Sequence, residues 1–313
     1  MAATLTHFYI VREYLKKQGI EVSFNNKDPF YAAAFLGATG PDLFYMRDGH
    51  NYISNFHHYK NPGIFVKILY DNQKGKSEEY IKLSNYFIQG FLSHMAADLV
   101  IHPFVNSLVG KYQEHLVTSV EIPGPVLPGG SLETPTLSDK FCAHNIVEFA
   151  QDYYVQTYLF KKNTYFKRTS TMFTYAIEKQ YKVMGDILFD AIQATYNIDV
   201  PRDDIDSVLD FYCDKYQSVD IQDHVDMVIE DEYKHFEIFL QHIEEEDAFK
   251  QGSSSFDKLL TRAINLTASM VAEGKNFNKI MKPWNLDTGL YTQVKVEKNA
   301  IKLNLNNYES VWS

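Results

Sequence analysis

Apolar positions recur at helical spacing along almost the whole chain. Phe8, Val11 and Leu15 share one face of a segment from His7 to Lys17, the i, i+3, i+7 pattern of an amphipathic helix. Asp28-Pro29 opens a second helix, since Asp accepts backbone N–H bonds at an N-cap and Pro is tolerated in the first turn. That helix is expected to run from Phe30 to Leu36 and to break over Gly37 to Pro41, leaving Asp42 on a loop or short turn. Ser77 to Ile101 is the longest predicted helix. Ser77-x-x-Tyr80 has the spacing of a capping box without its acid, and Glu78-Glu79 suit the positive helix end. The helix is expected to fray at His102, because the residue before Pro103 avoids the α region.

Glu121 to Pro135 carries four of the ten prolines and three glycines, which predicts a long loop. Ser138 then reads as the N-cap of a helix bearing His144, Glu148 and Asp152. Amphipathic helices resume from Thr169 to about residue 248, followed by a Gly252–Ser255 hinge and a helix to about Asn276. Gln293 to Leu305 alternates apolar and polar residues, as strand or extended chain does. The expected fold class is all-α: a multi-helix bundle over 1–284 with a short extended C-terminal tail, 285–313.

Composition narrows the partners. At 313 residues and 45% hydrophobic, the chain can build one large domain or two small ones. Tyr and Phe, 22 each, must pack between helices or line a pocket. A formal charge of −10 with no Lys/Arg block disfavours nucleic acid, unless metal ions supply positive charge, and disfavours electrostatic adhesion to anionic membrane. Two cysteines exclude a disulfide framework and a thiolate zinc finger. No apolar run approaches a transmembrane span, and Met1 to Ile10 lacks the pattern of a secretory signal. The expected location is the cytoplasm, or outside it by a route without a cleaved signal.

Candidate chemistry lies on two predicted helices. His94, Asp98 and His102 stand at i, i+4 and i+8, and over that distance a helix face drifts by only about 40°. A charged Asp among Met95, Ala97, Leu99 and Val100 is costly to bury without a partner. His144 and Glu148 repeat the one-turn spacing. A lone His in an aromatic-rich helix is more often a hydrogen-bonded core or surface residue; a stripe of three changes that reading to ligands. Imidazole and carboxylate without thiolate suit zinc in a catalytic role.

The order and spacing of Thr6-His7, Gly37-Ala-Thr-Gly-Pro41-Asp42, Phe56-His57-His58, Gly90-x-x-x-His94-x-x-x-Asp98-x-x-x-His102-Pro103 and Ala143-His144-x-x-x-Glu148 resemble the zinc-dependent phospholipase C family. Its secreted bacterial members are all-α trinuclear zinc enzymes on the fold shared with S1/P1 nucleases. Pro283-Trp284-Asn285 with Thr288-Gly289 looks like a late segment of less-studied relatives. The resemblance implies two to three zinc ions. Asp42, His57, His94 and Asp98 would surround one, His102, His144 and Glu148 a second, and His7 and Asp98 a third, with Asp98 bridging. His58 is the alternative to His57, and His50 a weaker one. The secreted enzymes complete the third site with an N-terminal tryptophan; this chain begins with Met1, so that site is expected to be absent, weak or completed by an unprocessed N-terminus.

The implied chemistry is attack on phosphorus by a metal-bound water, with Asp42 as base or water-orienting group. The implied substrate is a phospholipid, cut to diacylglycerol and a phosphorylated headgroup. The loop 121–135 and Phe44, Tyr45 and Phe104 either border the lipid cleft or pack in the core. Asp152 is either a partner orienting a ligand or a solvated surface acid. Leu43 follows Asp42 where choline-selective members have tyrosine, so headgroup preference is not read; residues after about 285 are too few for the β-sandwich of the toxin-like members. Two alternatives stand beside this reading. One is a single-strand nuclease on the same fold; the other is a helical interaction protein with a vestigial metal site, docking through Glu244–Asp247. Glu232-x-x-His235 alone is half of a di-iron pattern and reads as a solvated face.

Overall fold

The computed structural model describes residues 4–20, 22, 28–46, 51–59, 62–118, 144, 147–148, 150–160, 165–196, 200–218, 256–274, 284–286 and 290–291. His50, the loop 121–135, the Ser138 cap, Glu232 with His235, Glu244–Asp247, the Gly252–Ser255 hinge and the alternating stretch Gln293–Leu305 lie outside the described residues.

Helix α1 (Thr4–Lys17) buries Leu5, Phe8, Val11 and Leu15 as the periodicity predicts. Helix α2 (Pro29–Thr39) starts at Asp28, whose Oδ1 accepts from Phe30 N at 2.8 Å. It passes unbroken through Gly37 and tightens into a 3₁₀ segment, Gly40–Met46, that carries Asp42. Helices α3 (Asn51–Tyr59) and α4 (Pro62–Asp71) follow. Helix α5 (Glu78–Thr118), capped by a bond from Tyr80 N to Ser77 Oγ, is the mast of the fold, with α1, α2, α4 and the last long helix packed on it.

Gly37 is a packing residue and not the predicted breaker. A Cβ there would stand 2.0 Å from the Phe87 carbonyl oxygen, and one on Gly90 1.9 Å from that of Ala34. The backbones of α2 and α5 therefore touch, which only glycine on both sides permits. The predicted end of α5 at His102 is also corrected. The helix continues for four more turns through Pro103, because Phe104, Val105 and Leu108 bury their side chains beyond it. Phe104 stacks on Phe256 at 6.2 Å, and such burial outweighs the lost backbone bond of one proline.

Helix α6 has its described residues within 144–154 and widens into a π turn at Val155–Leu159. Among the described residues, helices α7 (Tyr165–Tyr196), α8 (Arg202–Ser218) and α9 (Phe256–Glu273) follow. The chain is all-α; the described strands are a two-residue antiparallel pair, β1 (Trp284–Asn285) and β2 (Leu290–Tyr291). The expected boundary at 284/285 falls inside β1, and Leu286 just after it is fully buried against the helices.

Candidate metal centre

Asp98, 1% exposed, sits midway along α5 with four imidazole Nε2 atoms around it. His94 stands at 3.0 Å, one turn before it, and His102 at 3.5 Å, one turn after it. His7 of α1 reaches it at 3.5 Å and His58 of α3 at 3.6 Å. Asp42 closes the near side at 3.3 Å from His58 Nε2 and 3.9 Å from His94 Nε2. On the far side Glu148 Oε1 lies 2.9 Å from His144 Nε2 and 3.5 Å from His102 Nε2. Three sets have donor atoms mutually within 4.8 Å: His7, His94 and Asp98; Asp42, His58 and His94; and His102, His144 and Glu148. All are buried except His144, which is half-buried.

The second nitrogen of three rings is anchored to a carbonyl. His94 Nδ1 donates to Ala38 O at 2.7 Å, His58 Nδ1 to Ser54 O at 2.8 Å, and His102 Nδ1 to Leu286 O at 2.8 Å. A carbonyl only accepts, so the proton sits on Nδ1 and the Nε2 atoms face the acids. Metal-ligating histidines are oriented in this way. His94 Nε2 and Asp98 Oδ2 are both buried and 3.0 Å apart, and neither has a partner in hydrogen-bond geometry. Two electron-rich atoms held face to face are stabilised by a positive charge between or beside them, which a proton or a metal ion supplies. Zinc fits this donor set of imidazole nitrogens and carboxylate oxygens.

Charge states follow from the same packing. Burial alone would raise the acids, but His94 and His58 hold Asp42 below its usual range. His102 and His94 likewise hold Asp98 well below it, and His144 and His102 do so for Glu148. Burial also opposes a proton on His58, yet the carboxylates of Asp42 and Asp98 beside it prevail and raise it well above 6.5. His7 is pushed down to about 3 by burial and by His94, on which it stacks at 3.9 Å and 3°.

His58, and not the first-named His57, is the α3 histidine that the structure brings to the acids. His57 points the other way, into Phe65, Phe91 and Tyr196 with ring centroids 4.5–5.5 Å away. Neither of its ring nitrogens has a hydrogen-bond partner, and burial pushes it down to about 3. Of the proposed lipid contacts, Phe44 and Phe104 are core residues, 0% and 5% exposed. Tyr45 is half-buried beside His58, with ring centroids 5.4 Å apart and its hydroxyl bonded to Asn55 Oδ1. Asp152 is buried and not solvated: it accepts from Leu5 N at 3.1 Å, Thr6 N at 2.9 Å and Thr6 Oγ1 at 3.0 Å, so it fastens the first turn of α1 behind His7. Burial pushes it up to about 7 against those bonds.

Sequence reasoning missed the part played by Leu286. Its N–H donates to His58 O at 3.0 Å while its carbonyl accepts from His102 Nδ1 at 2.8 Å, so one residue braces two of the converging histidines. A main-chain contact leaves no side-chain signal; the Pro283-to-Gly289 resemblance is the only hint of it.

The family model for zinc dependent phospholipase C matches residues 6–195, which include every converging residue except Leu286. No curated protein and no solved structure matches the chain.

Proposed function

Because the chain belongs to the zinc-dependent phospholipase C family, we propose that it hydrolyses phospholipids at the glycerol-side phosphodiester bond, giving diacylglycerol and a phosphorylated headgroup. The observation that carries this reading is the Asp98 carboxylate with four Nε2 atoms within 3.6 Å, three of them on rings whose other nitrogen is anchored. The proposed ligands are Asp42, His58, His94 and Asp98 for one ion, His102, His144 and Glu148 for a second, and His7 with Asp98 for a third where it is filled. Two to three zinc ions per chain follow.

Bound there, zinc supplies Lewis acidity, neutralising phosphate charge and making a coordinated water a stronger acid. The protein's own part is geometric and electrostatic. Asp42 is held ionised, so its carboxylate can accept a proton or orient the attacking water at neutral pH. Asp98 stands among imidazoles from α1, α3 and its own helix α5. Burial of these groups keeps bulk water from competing for the phosphoryl oxygens.

A single-strand nuclease shares this chemistry, and a net charge of −10 argues against a polyanionic substrate. The test is incubation of zinc-loaded protein with phosphatidylcholine, other phospholipids and single-stranded DNA. Diacylglycerol is the expected product. Nucleotides released without diacylglycerol would reverse the assignment.

A further inference from the structure

One polar group in the wall of the centre is used by nothing described so far. A small cavity opens between the His7–Asp98 pair and the His102–Glu148 pair, the gap between two of the candidate ion positions. Ala97 and Ile101 form its apolar side, and Thr6 and Gln151 complete it. The Thr6 hydroxyl is committed to Asp152 at 3.0 Å. Gln151 is 1% exposed, and its side-chain nitrogen is buried without a hydrogen-bond partner. Its position on α6, three residues after Glu148, sets it one turn along the same face.

An amide nitrogen carries two donors and no charge at any pH. Asp98 and Glu148 line the same cavity, yet the Gln151 nitrogen bonds to neither. A buried donor left unmade is unfavourable, and a ligand that brings an acceptor relieves that cost. Zinc does not answer that need, since an N–H donor repels a cation. An anionic oxygen does. The cavity touches side chains of both ion positions, which is where an oxygen of a phosphate group held between them would lie.

We propose that Gln151 donates a hydrogen bond from its side-chain nitrogen to a non-bridging phosphoryl oxygen of the bound substrate, and to inorganic phosphate in its place. The inference deepens the phosphodiesterase reading and rests on it for the reaction. For binding it needs only zinc and phosphate. A neutral donor of this kind fixes which oxygen faces the ions and stabilises charge that builds on it during attack.

The experiment compares zinc-loaded wild type with Gln151→Met, which keeps the volume and loses the donor, and Gln151→Asn, which withdraws the amide by one methylene. Circular dichroism and zinc content establish that each variant is folded and loaded. Calorimetric titration with inorganic phosphate should then give binding about tenfold weaker or worse in both variants. The value of kcat/KM on phosphatidylcholine should fall about 10- to 100-fold. Unchanged phosphate affinity in a fully loaded variant overturns the proposal. So does loss of zinc from both variants, which would make Gln151 a support for the ligands. A wild type that binds phosphate through Gln151 but cleaves no phospholipid would sink the substrate reading and leave this inference standing.

Discussion

Two adjacent imidazoles on α3 face opposite ways, and their surroundings give them opposite tasks. His58 looks at Asp42 and Asp98; His57 looks at aromatic rings with both nitrogens unsatisfied. His58→Gln should therefore lose zinc, whereas His57→Phe should keep the wild-type content and raise stability, since an unbonded buried polar group costs about 1–3 kcal/mol. Elemental analysis of the two variants checks this, and zinc loss from His57→Phe would return His57 to the ligand set. A pH dependence follows as well. The folded His57 titrates at about 3 and the unfolded one at the ordinary 6.5, so between those values the unfolded chain holds a proton that the folded chain lacks. Stability therefore rises with pH across that window, by at most about 1.4 kcal/mol per pH unit for one such group. His7, also lowered to about 3, adds to the slope. In chelator-treated protein, urea midpoints should climb from pH 4 to 6.5 less steeply for His57→Phe than for wild type. Parallel slopes would contradict the burial argument. Spacing along α5 was enough to place His94, Asp98 and His102 on one face. It could not choose between His57 and His58, because α3 turns its faces according to what packs on it.

The helices meet through contacts that periodicity only half reveals. Gly37 reads as a breaker and Gly90 only as part of a family motif, yet together they let α2 and α5 touch backbone to backbone. That contact sets His94 beneath Ala38, whose carbonyl fixes the ring. Gly90→Ala should cost about 1–3 kcal/mol or more, as overpacking against rigid backbone does. It should weaken zinc binding too, by shifting His94 from its anchor. A thermal melt with zinc analysis reads both, and an unshifted melting temperature would mean that the helices do not approach so closely. Pro103 misled in the other direction: local preference said stop, and the buried side chains of Phe104, Val105 and Leu108 carried the helix on. Asp152 shows the same limit. Its spacing from Glu148 marked it as relevant, but only the packed α1 shows that it holds Leu5 and Thr6. Asp152→Ala should loosen α1 by about 1–2 kcal/mol, near the worth of an N-cap, and so weaken the His7 position first.

The molecule as a whole is a helical scaffold whose centre is built from distant parts of the chain: α1, the 3₁₀ segment, α3, α5, α6 and the main chain at Leu286. All-α class and the polar stripe were legible because helical spacing is local. Convergence was legible only through resemblance, since no local rule brings His7, Asp42 and His144 together. Among the described residues no helix is long and apolar enough to cross a membrane. All of this depends on Asp98 serving more than one cation. The decisive measurement is zinc per chain, by elemental analysis after zinc-replete expression, in wild type and in Asp98→Asn. Two to three ions in wild type and at least one fewer in the variant are expected. No zinc in wild type, or equal content in the two proteins, would contradict the shared carboxylate.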